Sequence, residues 1–191
     1  MKNRQIKKIL LAAAVLTLCF GFCVGFTAAN ETTEETARGV ITSGSIHVAL
    51  LEKDETGALI EGDSQSQIVP GGEYARVVTI RNTGDYPCWV RIEVEKTFEL
   101  AAGGLGTGDI SLIELDINTE KWGEKDGFYY YLLPLEAGQE TEPLFTKVSF
   151  HSSIGNLYAG ATARVRVTGQ AVQLIHNGTT DVFEALGWPE A

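Results

Sequence analysis

The sequence predicts an all-β fold, an antiparallel β-sandwich. Three observations carry this expectation. Several runs alternate apolar and polar residues with a period of two, as in Cys88 to Glu95 and Ala163 to Gln173. Clusters of turn-forming residues separate these runs, among them Pro70-Gly71-Gly72 and Asn82-Thr83-Gly84-Asp85. There is little helix spacing and no regular alternation of strand with helix, so an α/β fold is disfavoured. About seven to nine strands fit the turn signals. The length, 191 residues, suffices for one domain with a sizeable core.

The chain opens with basic residues at Lys2, Arg4, Lys7 and Lys8, then runs apolar from Ile9 to Phe26. Thr27-Ala28-Ala29 follows, a small-residue exit suited to signal peptidase, with cleavage expected between Ala29 and Asn30. Residues 1–29 are therefore expected to be a secretory signal peptide, and the alternative is a retained membrane anchor. Cys19 and Cys23 lie in this run behind the bulky Leu18 and Phe22, which argues against lipidation. After cleavage Cys88 is the only cysteine, so no internal disulfide can form and the core must hold the domain. Cys88 reads as a buried, inert thiol rather than a nucleophile.

The signal carries four basic residues and no acidic ones, so its removal takes the formal charge from −10 to −14. An acidic domain argues against nucleic-acid partners and against binding to anionic membranes. Membrane contact is expected only through the uncleaved signal peptide.

Residues 30–38 form a polar leader rich in Glu and Thr, and residues 39–191 are expected to be a single β-sandwich domain. Ile46, Val48 and Leu50 alternate with Ser45, His47 and Ala49, as in a half-buried strand. The stretch from Lys53 to Gln67 reads as a hairpin or loop. Tyr74 to Arg81 and Tyr86 to Lys96 are two β-rich runs. In the second, Cys88, Val90, Ile92 and Val94 face the core, while Trp89, Arg91, Glu93 and Glu95 face water. Ala101 to Asp109 is glycine-rich, with Gly103 to Gly108 at its centre, but no helix and no phosphate-gripping lysine follow. It reads as a flexible connection before Ile110 to Ile117, which alternates as a strand.

Four aromatics in a row, Phe128 to Tyr131, run into Leu132-Leu133-Pro134. On an extended chain Phe128, Tyr130 and Leu132 share one face, and Tyr129, Tyr131 and Leu133 the other. They are read as strand residues packing on both sides of a sheet. Leu144 to Phe150 is expected to supply the partner strand. The alternative is an exposed ligand platform. Ala161 to Gly178 reads as a long final strand. Val182, Phe183, Leu186 and Trp188 then form a short amphipathic turn expected to cap the sheet edge.

Little catalytic chemistry is visible. His47, His151 and His176 lack a second histidine or cysteine at ligand spacing, and there is no HExxH zinc motif. There is no GxSxG nucleophile elbow and no DxDxDG calcium loop. The expectation is a non-enzyme without metal or cofactor.

Two long stretches resemble a known family. Ile68 to Lys96, "IVPGGEYARVVTIRNTGDYPCWVRIEVEK", is similar to its I-x-P-G…V-x-N-x-G…Y-V-R-V segment. Trp122 to Phe150, "WGEKDGFYYYLLPLEAGQETEPLFTKVSF", resembles its W…D-G-Y-Y-Y…P-L-x-P-G-x-x-T-x-x-L-F-x-x-V segment. Ala171-Val172-Gln173 and the terminal Ala185-Leu186-Gly187-Trp188 resemble its ending. The family is the SipW-dependent secreted proteins of Gram-positive bacteria, the camelysin/TasA group. The resemblance implies a jelly-roll β-sandwich exported through a dedicated signal peptidase. It also implies an extracellular protein of the biofilm matrix or cell surface, whose partner is a second copy or another matrix protein. Assembly in such fibres proceeds by strand addition at an open sheet edge.

The chain departs from that pattern in two places. The leader Asn30 to Arg38 is charged and polar, so Val40 and Ile41 are the candidate assembly strand, unless the first strand itself is donated. The glycine-rich loop has no counterpart in the pattern. Two other functions compete with a structural role. One is a secreted module binding glycan or cell wall, or an adhesin, through exposed Trp89, Trp122 or Tyr129. The other is a camelysin-like peptidase, for which the sequence offers no metal motif.

Overall fold

The structure, a computed structural model, describes residues 40–42, 46–60, 65–101, 108–175 and 177–189. The expected signal peptide, the Ala29–Asn30 cleavage point, the polar leader, most of the glycine-rich loop and His176 lie outside the described residues. All described strands belong to one compact unit, Thr36–Ala191.

The fold is all-β. The strands are β1 (Val40–Thr42), β2 (Val48–Lys53), β3 (Gln65–Gln67), β4 (Glu73–Ala75), β5 (Val77–Asn82) and β6 (Cys88–Glu99). They continue with β7 (Ile113–Leu115), β8 (Trp122–Lys125), β9 (Phe128–Tyr131), β10 (Lys147–Phe150) and β11 (Thr162–Gln173). The described helical structure is three single 3₁₀ turns, at Ile110–Leu112, Asn156–Tyr158 and Val182–Glu184.

One sheet has the order β1-β11-β6-β9-β8, with β3 also pairing to β11. Its spine is the antiparallel pair β6–β11, in register over all 12 residues from Cys88↔Gln173 to Glu99↔Thr162. The smaller sheets are β4-β10-β7 and β2-β5. Backbone hydrogen bonds from Arg76, Val78 and Asn82 to Thr146, Phe145 and Gln139 join β5 to the segment leading into β10. The two smaller sheets thus form one layer. The described strand pairings are antiparallel except one: β1 runs parallel to β11.

The sheets meet in one apolar core. From the large sheet come Cys88, Val90, Ile92, Tyr131, Ala163, Val165, Val167 and Ala171. From the other layer come Val48, Leu50, Val78, Ile80, Ile113, Val148 and Phe150. These are the residues that the period-two pattern places inward in β6 and β11, because side chains i and i+2 share a face.

Other expectations are corrected. Leu144 to Phe150 does not pair with the tyrosine run. β10 pairs with β4 and β7, while β9 pairs with β6 and β8. The β8–β9 hairpin is set by Asp126-Gly127, both at positive φ (52° and 82°). That is the two-residue turn whose twist suits a hairpin. The turn at 83–87 passes the chain from one layer to the other, because β5 pairs with β2 and β6 with β11. Ile110–Leu112 is a 3₁₀ turn, not strand, because the Asp109 carboxylate accepts from the Ser111 N–H and caps it. The final strand spans only Thr162–Gln173.

The outer face of β6 is also not uniformly wet. Trp89, Tyr130, Val172, Val182 and Ala185 form a second, smaller core, with Phe128, Phe183 and Trp188 packed against it. The segment 181–189 lies across the sheet face rather than capping an edge. Asn177 holds it through reciprocal bonds with Leu186, accepting from its N–H (2.8 Å) and donating to its carbonyl (3.0 Å). Leu186 itself points away and is 73% exposed.

Candidate functional site: a lightly filled sheet edge

β11 has one edge fully paired with β6. Its other edge is covered in two short pieces. Gln65–Gln67 of β3 pairs antiparallel with residues 162–164, and Val40–Thr42 of β1 pairs parallel with residues 169–171. Between them, residues 165–168 have no strand partner on that side among the described residues. A three-residue parallel strand contributes few ladder bonds, and parallel pairing is slightly weaker per residue. Such an edge is a template for a longer extended strand. The candidate assembly residues Val40 and Ile41 thus sit on the edge itself, opposite Gly169 and Gln170.

The candidate exposed aromatics do not form a platform. Trp89 and Trp122 are each 2% exposed, which removes them as surface contacts. Trp122 lies on the core side of β8. Its indole N–H donates to the Glu142 carbonyl (3.1 Å), and its ring packs on Tyr131 at 5.1 Å. Trp89 lies under the 181–189 segment. Tyr129 is half-buried against the main core. Burial, and secondarily the nearby Glu124, raises its hydroxyl pKa. Both faces of the tyrosine run are buried because this sheet has a core on each side: Tyr129 and Tyr131 face one, Phe128 and Tyr130 the other. Burial and the hydrogen bond to Glu142 push the Tyr131 phenol up to about 12.

Cys88 is fully buried, and burial, helped by the charge of Glu136, pushes its thiol up to about 12. Its thiol faces the Leu135 carbonyl at 3.8 Å. His151 shares its Nδ1 with Ser153 Oγ at 2.7 Å on the surface. Among the described residues, no group of three or more His, Cys, Asp or Glu stands close enough to hold a metal ion.

One cluster escaped the sequence reading. Arg91, assigned to a wet face, is only 8% exposed. Its Nε donates to Gln170 Oε1 (2.7 Å), Nη1 to Tyr130 Oη (2.9 Å) and Nη2 to the Pro189 carbonyl (3.3 Å). Its guanidinium stacks 3.8 Å from the Phe128 ring centroid and 4.6 Å from that of Trp188. Alternation places Arg91 on the outer face but cannot reveal that a segment 90 residues away covers that face.

Comparisons with protein-family models, with curated proteins and with solved structures found no match.

Proposed function

We propose that this chain is a secreted structural protein, a fibre component of an extracellular matrix or cell surface that assembles by strand addition. In this reading it is a jelly-roll-like β-sandwich of the TasA/camelysin kind. A dedicated signal peptidase cuts it between Ala29 and Asn30.

The observation that supports the reading is the outer edge of β11. A 12-residue strand in the middle of the longest described pairing is covered there, among the described residues, by two three-residue strands. One of them, β1, is the first described element of the chain and follows directly on the polar leader. A segment so placed can leave its own edge and pair with the same edge of a neighbour. Main-chain hydrogen bonds would then supply affinity, and alternate side chains register. The donor and acceptor are different surfaces of one chain, so the contact is head-to-tail and grows filaments rather than closing a dimer. The partner is a second copy or another matrix protein with a matching edge.

The test is assembly of residues 30–191, followed by electron microscopy and sizing chromatography, with Ile41→Pro as the variant. Proline removes an N–H from β1 and should suppress assembly while leaving β2 to β11 folded.

A further inference from the structure

The segment 181–189 lies over Trp89 and Tyr130 as a strap, outside every described strand pairing. Among the described residues, three side chains hold its main chain. Lys125 Nζ donates to the Phe183 carbonyl (3.1 Å), Arg91 Nη2 donates to the Pro189 carbonyl, and Asn177 makes the two bonds to Leu186. Asn177 Nδ2 also donates to the Gln173 carbonyl at the end of β11 (3.1 Å). One amide thus ties the strap to the sheet. Its orientation follows from chemistry: the oxygen must face the Leu186 N–H, and the NH2 must face the two carbonyls.

Asn177 is also the only asparagine of the chain that is followed by glycine. In an Asn-Gly pair the backbone nitrogen of the glycine attacks the side-chain amide with least hindrance, because no β-carbon stands beside it. Here a β-carbon on Gly178 would meet nothing within 4 Å, and among the described residues no acceptor takes the Gly178 N–H. The nucleophile is free, whereas the electrophile is held. Addition to Asn177 Cγ would turn the planar amide tetrahedral and cost it the bonds to Gln173 and Leu186.

We propose that Asn177 is a deamidation site protected by the strap it holds, and that its conversion stops the strap from closing again. When the strap lifts, Gly178 N attacks Asn177 Cγ. The Cγ–Nδ2 bond breaks, and the nitrogen leaves as ammonia with the Gly178 proton. Water then adds to one carbonyl of the succinimide and opens it to aspartate or isoaspartate. Aspartate still accepts from the Leu186 N–H. Its second oxygen, however, takes the place of the NH2 that stood 3.0 Å and 3.1 Å from the Leu186 and Gln173 carbonyls, so two attractions become repulsions. Isoaspartate shifts the carboxylate out of place altogether. Closure slows the reaction and the reaction ends closure, so the latch works once and in one direction. Asn177, Gln173 and Leu186 lie outside the β1 pairing with residues 169–171, and filament formation is not a readout below.

The test holds residues 30–191 at mildly alkaline pH and follows the exchange of NH2 for OH at Asn177 by peptide mapping and mass spectrometry. The same chain in urea gives the unprotected rate. Two variants loosen the strap: Trp188→Ala removes the half-buried indole that packs on Tyr130 at 5.6 Å, and Lys125→Met removes the bond to the Phe183 carbonyl. Asn177→Asp supplies the product directly. The folded wild type is expected to react more slowly than in urea by about tenfold or more, because attack waits on local opening. Both loosened variants react faster than the wild type. Asn177→Asp is cut within 181–189 about tenfold faster than the wild type, with cleavage elsewhere unchanged. The proposal is overturned if folded wild type reacts as fast as in urea, if neither loosened variant reacts faster, or if the strap of Asn177→Asp resists protease as the wild type does.

Discussion

Gly169 of β11 faces Ile80 of β5 so closely that a β-carbon at position 169 would stand 3.2 Å from Ile80 Cδ1. Gly169 is also the residue opposite Val40 in the β1–β11 pairing. One position therefore couples the packing between the layers to the lightly filled edge.

Gly169→Val is expected to destabilise the domain by roughly 1–3 kcal/mol, because the added side chain crowds the fully buried Ile80. Chemical denaturation reads this directly. A matching loss should not follow Gly178→Ala on space alone, since nothing lies within 4 Å of a β-carbon there. Its φ of +77° adds backbone strain instead.

Gly123→Ala tests the cover over the second core. Its β-carbon would lie 2.5 Å from Phe183 Cζ, so the ring must shift. Phe183 belongs to the 3₁₀ turn Val182–Glu184 and packs on Tyr130 at 5.2 Å. The expected outcome is faster proteolysis within 181–189 with little change in the main core. Limited digestion followed by mass spectrometry checks it.

How far the sequence reaches is clear from these elements. Period-two alternation placed Cys88, Val90 and Ile92, and Ala163, Val165 and Val167, in the core, because it reports which face a side chain takes. It does not report which strand lies next door. That is why alternation leads Leu144 to Phe150 to be expected beside the tyrosine run, although β10 pairs with β4 and β7. It also cannot say what covers the other face, so Trp89 and Arg91 read as exposed when the 181–189 segment buries them. Asp126-Gly127, by contrast, is a hairpin signal carried by the local sequence alone. Parallel pairing of β1 had no local signal, since it depends on a partner more than a hundred residues away.

Cys88 is expected to be chemically silent in the native state. With the thiol buried and pushed up to about 12, almost none is thiolate at pH 7–9. Reaction with a disulfide reagent should be slow throughout that range and should keep rising with pH without levelling off, since the pH stays below the thiol's pKa. It should become fast in denaturant.

Asp116 gives a pH signature. Partial burial raises its carboxyl pKa, but hydrogen bonds from the Thr146 hydroxyl and from the Thr146 and Lys147 N–H groups outweigh this and hold it below the ordinary aspartate value. A depressed folded pKa means stability that is present above the unfolded value and lost as pH falls through the folded one. Asp116→Asn should therefore be less stable at neutral pH by roughly 1 kcal/mol or less, given the site's exposure. Its stability should fall less steeply than that of the wild type between about pH 5 and pH 2. Denaturant midpoints across that range give the comparison.

The most direct measurement is negative-stain electron microscopy of purified residues 30–191 beside sizing chromatography, over a range of concentration and pH. Regular filaments that disappear in Ile41→Pro are expected. A globular monomer that persists under every condition would contradict assembly by strand addition.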